Sequence, residues 1–172
     1  MQIVEILIEV VKYGLPSLVI YFLMRHYTSQ QTFLMAQQKR KDADKDVKAL
    51  RFQAYERLIM FVERTKLSDL IIRLNTSELD ANALKTILLV SVQKEYEHNL
   101  AQQVYVSEEL WKIVSQAKEN VQSLITKSSN DLPSGGSSED LLSTLQQNSV
   151  AATQSLEIAK KAIREELKGI LA

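Results

Sequence analysis

The spacing Glu95-x-x-His98 is the one place in this chain where residue types and register could hold a metal. On a helix, positions i and i+3 let a carboxylate and an imidazole reach the same ion, as they do in di-iron carboxylate bundles. Such a centre needs a second copy of the element and two further carboxylates. The other histidine, His26, has no glutamate three residues before it. The expected cofactor is therefore none, and a metal-binding helical bundle stays as a third reading. Hydrolytic chemistry has less to work with. The serines lie at helix starts or in a Ser-rich stretch, and neither Gly-x-Ser-x-Gly nor a Gly-rich phosphate loop occurs. Cysteine is absent, which removes disulfides, thiol catalysis and Cys-ligated metals.

Glu95 and His98 also belong to a wider pattern. In a helix expected from about Ala81 to Val104, the face Leu84, Ile87, Leu88 and Ser91 continues into Glu95, His98, Asn99 and Gln102, which fall at i, i+3, i+4 and i+7. A core face thus ends as a polar stripe, while Tyr96, Leu100 and Val104 drift to another side. Three readings remain open: a solvated face, a structural network, or a site for a ligand or partner. A buried network needs opposite partners, and the first bundle helix offers Arg51, Glu56, Arg57, Glu63 and Arg64.

The elements that must position these residues are helices. Glycine occurs only at 14, 135, 136 and 169 and proline only at 16 and 133, so Ser17 to Leu132 contains neither strong breaker. Sustained 3.6-residue periodicity over that span predicts an all-α fold. Residues 27–46 read as a polar helical stalk, and 47–127 as the bundle core, opening with the face Val47, Leu50, Ala54, Leu58 and Phe61. Asn75 to Asp80 supplies turn chemistry, with Ser77 or Asp80 as N-cap. Ser107 is the expected cap of the next helix, with Val106 and Trp111 at hydrophobic-staple positions. Residues 128–138 read as a flexible linker. In 139–172, a helix carries the near-heptad stripe Leu141, Leu145, Ala152, Leu156, Ala159, Ile163, Leu167 and Ile170, suited to closing the bundle or to a coiled coil with a partner.

Residues 1–26 differ from everything after them. A bilayer core takes roughly 20 apolar residues, and the longest uncharged run, Tyr13 to Met24, has 12. Extending the span to Ile3 takes in Glu5, Glu9 and Lys12, each costing up to about 3 kcal/mol near the bilayer centre. These three share one stripe, where Glu9 and Lys12 can pair. The expectation is a membrane anchor helix; an interfacial helix, or one whose charged stripe faces a partner or pore, is the alternative. A cleaved signal peptide is disfavoured, since there is no basic n-region and no small-x-small site after the apolar run. Arg25, Lys39, Arg40 and Lys41 follow the segment whereas only Lys12 lies within residues 1–24, which puts the C-terminal part in the cytoplasm.

Charge narrows the partners. Lys plus Arg and Asp plus Glu both total 21, giving no reason to expect nucleic acid. Residues 25–66 carry ten basic and five acidic side chains, and 67–172 carry ten and fourteen, so the basic part is the one next to the apolar segment.

The runs Arg51-x-Gln53-Ala54-Tyr55-Glu56-Arg57-Leu58, Phe61-x-Glu63-Arg64, Glu95-x-Glu97-His98-Asn99 and Gln102-Gln103-x-Tyr105-x-Ser107, with Trp111, resemble an uncharacterised family of short, membrane-anchored, all-helical proteins from Bacteroidetes-type bacteria. The resemblance spans about Leu50 to Lys127. It implies an architecture, an N-terminal transmembrane helix continuing through a stalk into an antiparallel cytoplasmic bundle, and no catalytic residue. The resulting expectation is a non-enzymatic scaffold or adaptor at the bacterial inner membrane, with a protein partner or a second copy and no small-molecule substrate. The alternative is a subunit of a membrane transport or channel assembly using Glu5, Glu9 and Lys12.

Overall fold

The computed structural model describes residues 2–74, 79–133 and 136–171. Among these residues six α-helices follow one another: α1 (Gln2–Arg64), α2 (Leu67–Leu74), α3 (Ala81–Glu97), α4 (Glu108–Asn130), α5 (Ser138–Asn148) and α6 (Val150–Leu171), with a 3-10 helix at Leu100–Val104. The chain is all-helical, and among the described residues no strand occurs. The chain divides into two units, Met1–Val47 and Lys48–Ala172.

In the first unit the described residues are helical, and Ile3, Ile6, Ile8, Leu18, Ile20 and Phe22 stand exposed. By length and composition the helix can cross a membrane. Pro16 lies inside it, and Ser17 Oγ donates to the Tyr13 carbonyl at 2.8 Å.

In the second unit one core joins the last part of α1 to α3, α4, α5 and α6. Its centre is Tyr55, Leu58, Phe61 and Val62 of α1, Leu84, Leu88 and Val92 of α3, Val114, Ala117, Val121 and Ile125 of α4, Leu141 and Leu145 of α5, and Leu156, Ala159 and Ile163 of α6. The alanines of α6 let that helix lie close against α4. Tyr96 stands edge-on to Phe61 at 6.0 Å between centroids and 5.4 Å from Trp111, with Lys118 Nζ 4.7 Å from its own ring centre.

Several expectations change. Val47 and Leu50 are exposed, so the buried face of α1 starts at Ala54: a repeat of apolar residues says which side faces inward, not where the facing helices end. Asp80 is the N-cap of α3, its side chain accepting from Ala83 N–H at 2.7 Å, while Ser77 lies outside the described residues. Ser107 caps α4. Residues 128–130 belong to α4, so the connection begins at Asp131. The last helix is two helices. Ser149 Oγ bonds back to the Gln146 carbonyl at 2.9 Å, and this local alternative to the helical ladder marks the break. Asp80 and Ser137, the N-caps of α3 and α5, pair as an isolated antiparallel bridge, and Ser137 closes a capping box with Asp140.

Candidate functional site

The polar stripe of α3 does not continue as an α-helix. Asn99 Nδ2 donates to the Glu95 carbonyl at 2.7 Å, taking the acceptor that the Asn99 backbone N–H would otherwise use, and that N–H bonds instead to Tyr96 O at 2.9 Å. The helix therefore stops at Glu97, with His98 as C-cap, and the chain tightens into the 3-10 helix. Glu95, His98, Asn99 and Gln102 accordingly do not line one α-helical side as the spacing suggested. Glu95 is largely covered, Asn99 and Gln102 are buried and His98 is exposed.

What gathers around Glu95 is a set of guanidinium groups. Its Oε1 lies 3.2 Å from Arg64 Nε and 3.1 Å from Arg73 Nη1. Arg73 is held in turn by donation to the Arg64 carbonyl at 2.6 Å and to the Asp69 carbonyl at 3.3 Å, which fixes α2 against the end of α1. Arg57 Nη2 donates to the His98 carbonyl at 3.2 Å, one of the carbonyls that the end of α3 leaves without a helical partner. Arg57, Arg64, Glu95, His98 and Asn99 line a pocket of about 290 Å³ together with Met60 and Phe61.

A second cluster centres on Glu166 of α6. Its Oε1 accepts the Ser107 backbone N–H at 2.9 Å and the Tyr55 hydroxyl at 2.8 Å, and its Oε2 accepts the Ser107 hydroxyl. Arg51 donates from Nη2 to the Tyr55 hydroxyl at 3.1 Å and from Nε to the Tyr105 carbonyl at 3.0 Å. Burial works to raise the Glu166 pKa, but the Ser107 hydroxyl and N–H, the Tyr55 hydroxyl and the Arg51 charge together hold it below the ordinary carboxylate value. Burial, reinforced by the bond to Glu166, pushes the Tyr55 hydroxyl up.

The third cluster ties α1 to α6. Glu63 pairs with Lys160 and, at 2.7 Å, with Lys66, which also reaches Glu157 at 3.1 Å. The bond from Lys160 and then that from Lys66 lower the Glu63 pKa. Glu56 stands exposed and makes no ion pair among the described residues. Glu5, Glu9 and Lys12 are exposed on the first unit, with Lys12 Nζ 5.7 Å from the Tyr13 ring centre.

Sequence reasoning named one side of each cluster and missed the other: Arg73, Lys160 and Glu166. The last two carried a signal, since both flank Ile163 of the core stripe, at i−3 and i+3, where a charge sits at the edge of the buried face.

Fold and site together define an all-helical protein whose surface side chains lace α1, α2, α3 and α6 together, and in which the described residues hold no group of three or more metal-ligating side chains. The chain belongs to the Family of unknown function (DUF7935), which matches residues 1–170. No curated protein and no solved structure matches it.

Proposed function

We propose that the protein is a single-pass, N-terminally anchored adaptor of the bacterial inner membrane. Its helical domain, an antiparallel bundle, lies on the cytoplasmic side and recruits a protein partner without catalysing a reaction. The observation that carries the reading is the run Tyr13 to Met24. It holds no charge, and Leu15, Leu18, Val19, Ile20, Phe22, Leu23 and Met24 are each more than half exposed. Burying one such side chain is worth about 1.5–3 kcal/mol, so a bilayer offers this helix far more than water does. The basic residues after the run support the cytoplasmic placement of the rest.

Alkaline-carbonate extraction of membranes from cells expressing the full chain tests the anchor. The parent stays in the membrane pellet, and Leu18→Arg/Phe22→Arg moves to the supernatant. Release of the parent by carbonate overturns the anchor. Crosslinking in place then tests the adaptor role, which predicts a protein captured through the second unit.

A further inference from the structure

We infer that the pocket between α1 and the end of α3 receives a carboxylate presented by an acidic segment of the partner protein. The inference rests on the adaptor reading and adds the chemistry of its partner.

The charge around the pocket does not balance. Arg57 and Arg64 line the pocket beside Glu95, the one carboxylate among its described lining residues, and Arg64 shares that carboxylate with Arg73, so three guanidinium groups stand against one carboxylate, a surplus of two positive charges. The donors are not used up either. A guanidinium carries five N–H groups; Arg57 spends one on the His98 carbonyl, and Arg64, which lines the pocket, meets Glu95 through Nε and makes no bond from its two terminal nitrogens among the described residues. Arg73, by contrast, is committed to Glu95 and to two backbone carbonyls. Arg57 and Arg64 are thus the groups that can take a new anion.

Size and floor select the anion. At about 290 Å³ the space is at the lower edge of small-molecule sites, suited to one side chain rather than to a cofactor. Met60, more than half exposed, and the buried Phe61 supply an apolar seat for a methylene stem. Glu95 gives the precedent within the chain, a carboxylate gripped by two arginines at 3.1 and 3.2 Å. An acidic side chain has both parts, a carboxylate for Arg57 and Arg64 and a stem for Met60; inorganic phosphate has only the charge.

The test uses the full chain in dodecyl maltoside micelles and a short fluorescein-labelled peptide of alternating leucine and glutamate, read by fluorescence anisotropy. Losing a charge-assisted bond weakens binding about tenfold or more, so Arg57→Glu and Arg64→Glu each show at least that loss. Glu95→Gln releases Arg64 and Arg73 from their resident carboxylate and tightens binding, an effect that damage to the fold would not produce. Lys127→Glu makes the same charge change on α4 outside the pocket and leaves binding as in the parent. Circular dichroism melts establish that each variant is folded, and if Arg64→Glu is not, Arg57→Glu decides, since Arg57 is exposed.

Four outcomes overturn the inference. They are parent-like binding by Arg57→Glu, equal binding of a leucine and glutamine peptide, displacement of the peptide by inorganic phosphate at lower concentration than by free glutamate, and displacement by anionic vesicles but not by glutamate. A failure here leaves carbonate retention and crosslinked partners untouched. Release by carbonate with peptide binding intact would sink the anchor and spare the pocket.

Discussion

Glu166 and Ser107 are joined twice across the second unit: the α6 carboxylate accepts both the backbone N–H and the hydroxyl of the residue that caps α4. The positive end of α4 is thereby finished by a negative charge from another helix, a favourable arrangement at a helix N-terminus. Because Tyr55 and Arg51 of α1 meet the same carboxylate, one side chain links three helices.

Glu166→Gln removes the charge but keeps the shape, and is expected to cost about 1.5–3 kcal/mol in urea unfolding at pH 7, the range for hydrogen bonds to a charged group. The pH dependence carries a sign. The folded-state pKa of Glu166 lies below its ordinary 4.5, so its contribution is present above that value and is lost as pH falls through the folded-state pKa. Acidification from neutral pH should weaken the parent more than Glu166→Gln. Equal acid sensitivity of the two would show that the carboxylate is not the group being protonated.

Ser128 is fully buried in α4 and its hydroxyl has no hydrogen-bond partner among the described residues. An unsatisfied buried hydroxyl is a net loss, so Ser128→Ala is expected to stabilise the protein by about 1 kcal/mol. Thermal melts of the two proteins read this directly, and a lower melting temperature for the variant would contradict it.

Core substitutions should divide by face. Leu58 of α1 is completely buried, whereas Ile158 of α6 is 60% exposed. Leu58→Ala is expected to cost about 2–5 kcal/mol through lost burial and the cavity left behind. Ile158→Ala should lie within about 0.5 kcal/mol of the parent, as surface changes do. Similar losses at both positions would place a partner or a second copy over Ile158.

In the first unit, Glu9→Leu/Lys12→Leu removes two charges that each cost up to about 3 kcal/mol near a bilayer centre. Carbonate extraction should leave this variant in the pellet at least as firmly as the parent. If partner capture is lost while retention is kept, the charged stripe meets something within the membrane, and the transport-assembly reading replaces the adaptor.

The helices themselves were legible because breakers are absent from Ser17 to Leu132 and apolar residues recur at 3.6-residue spacing, so Leu58, Phe61, Leu84, Leu88, Leu156 and Ile163 could be assigned to a core from the letters alone. The end of α3 was not legible. Nothing in the letters of Glu95 to Asn99 says that the Asn99 amide will displace its own backbone N–H from the Glu95 carbonyl, and with that substitution the stripe loses its register. The arginines of α1 were in view from their number, but Arg73 entered only through the return of α2 toward the end of α1, a contact between segments that local pattern does not encode.

The bridge between Asp80 and Ser137 couples two events that are separate in most helical proteins. Each residue starts its own helix, and each is held by the other. Fraying at the start of α3 therefore withdraws support from the start of α5, and the reverse. The bridge adds to the core that α3 and α5 already share, so native-state hydrogen exchange should find the first turns of α3 and α5 opening in step, as the clasp of one cooperative block.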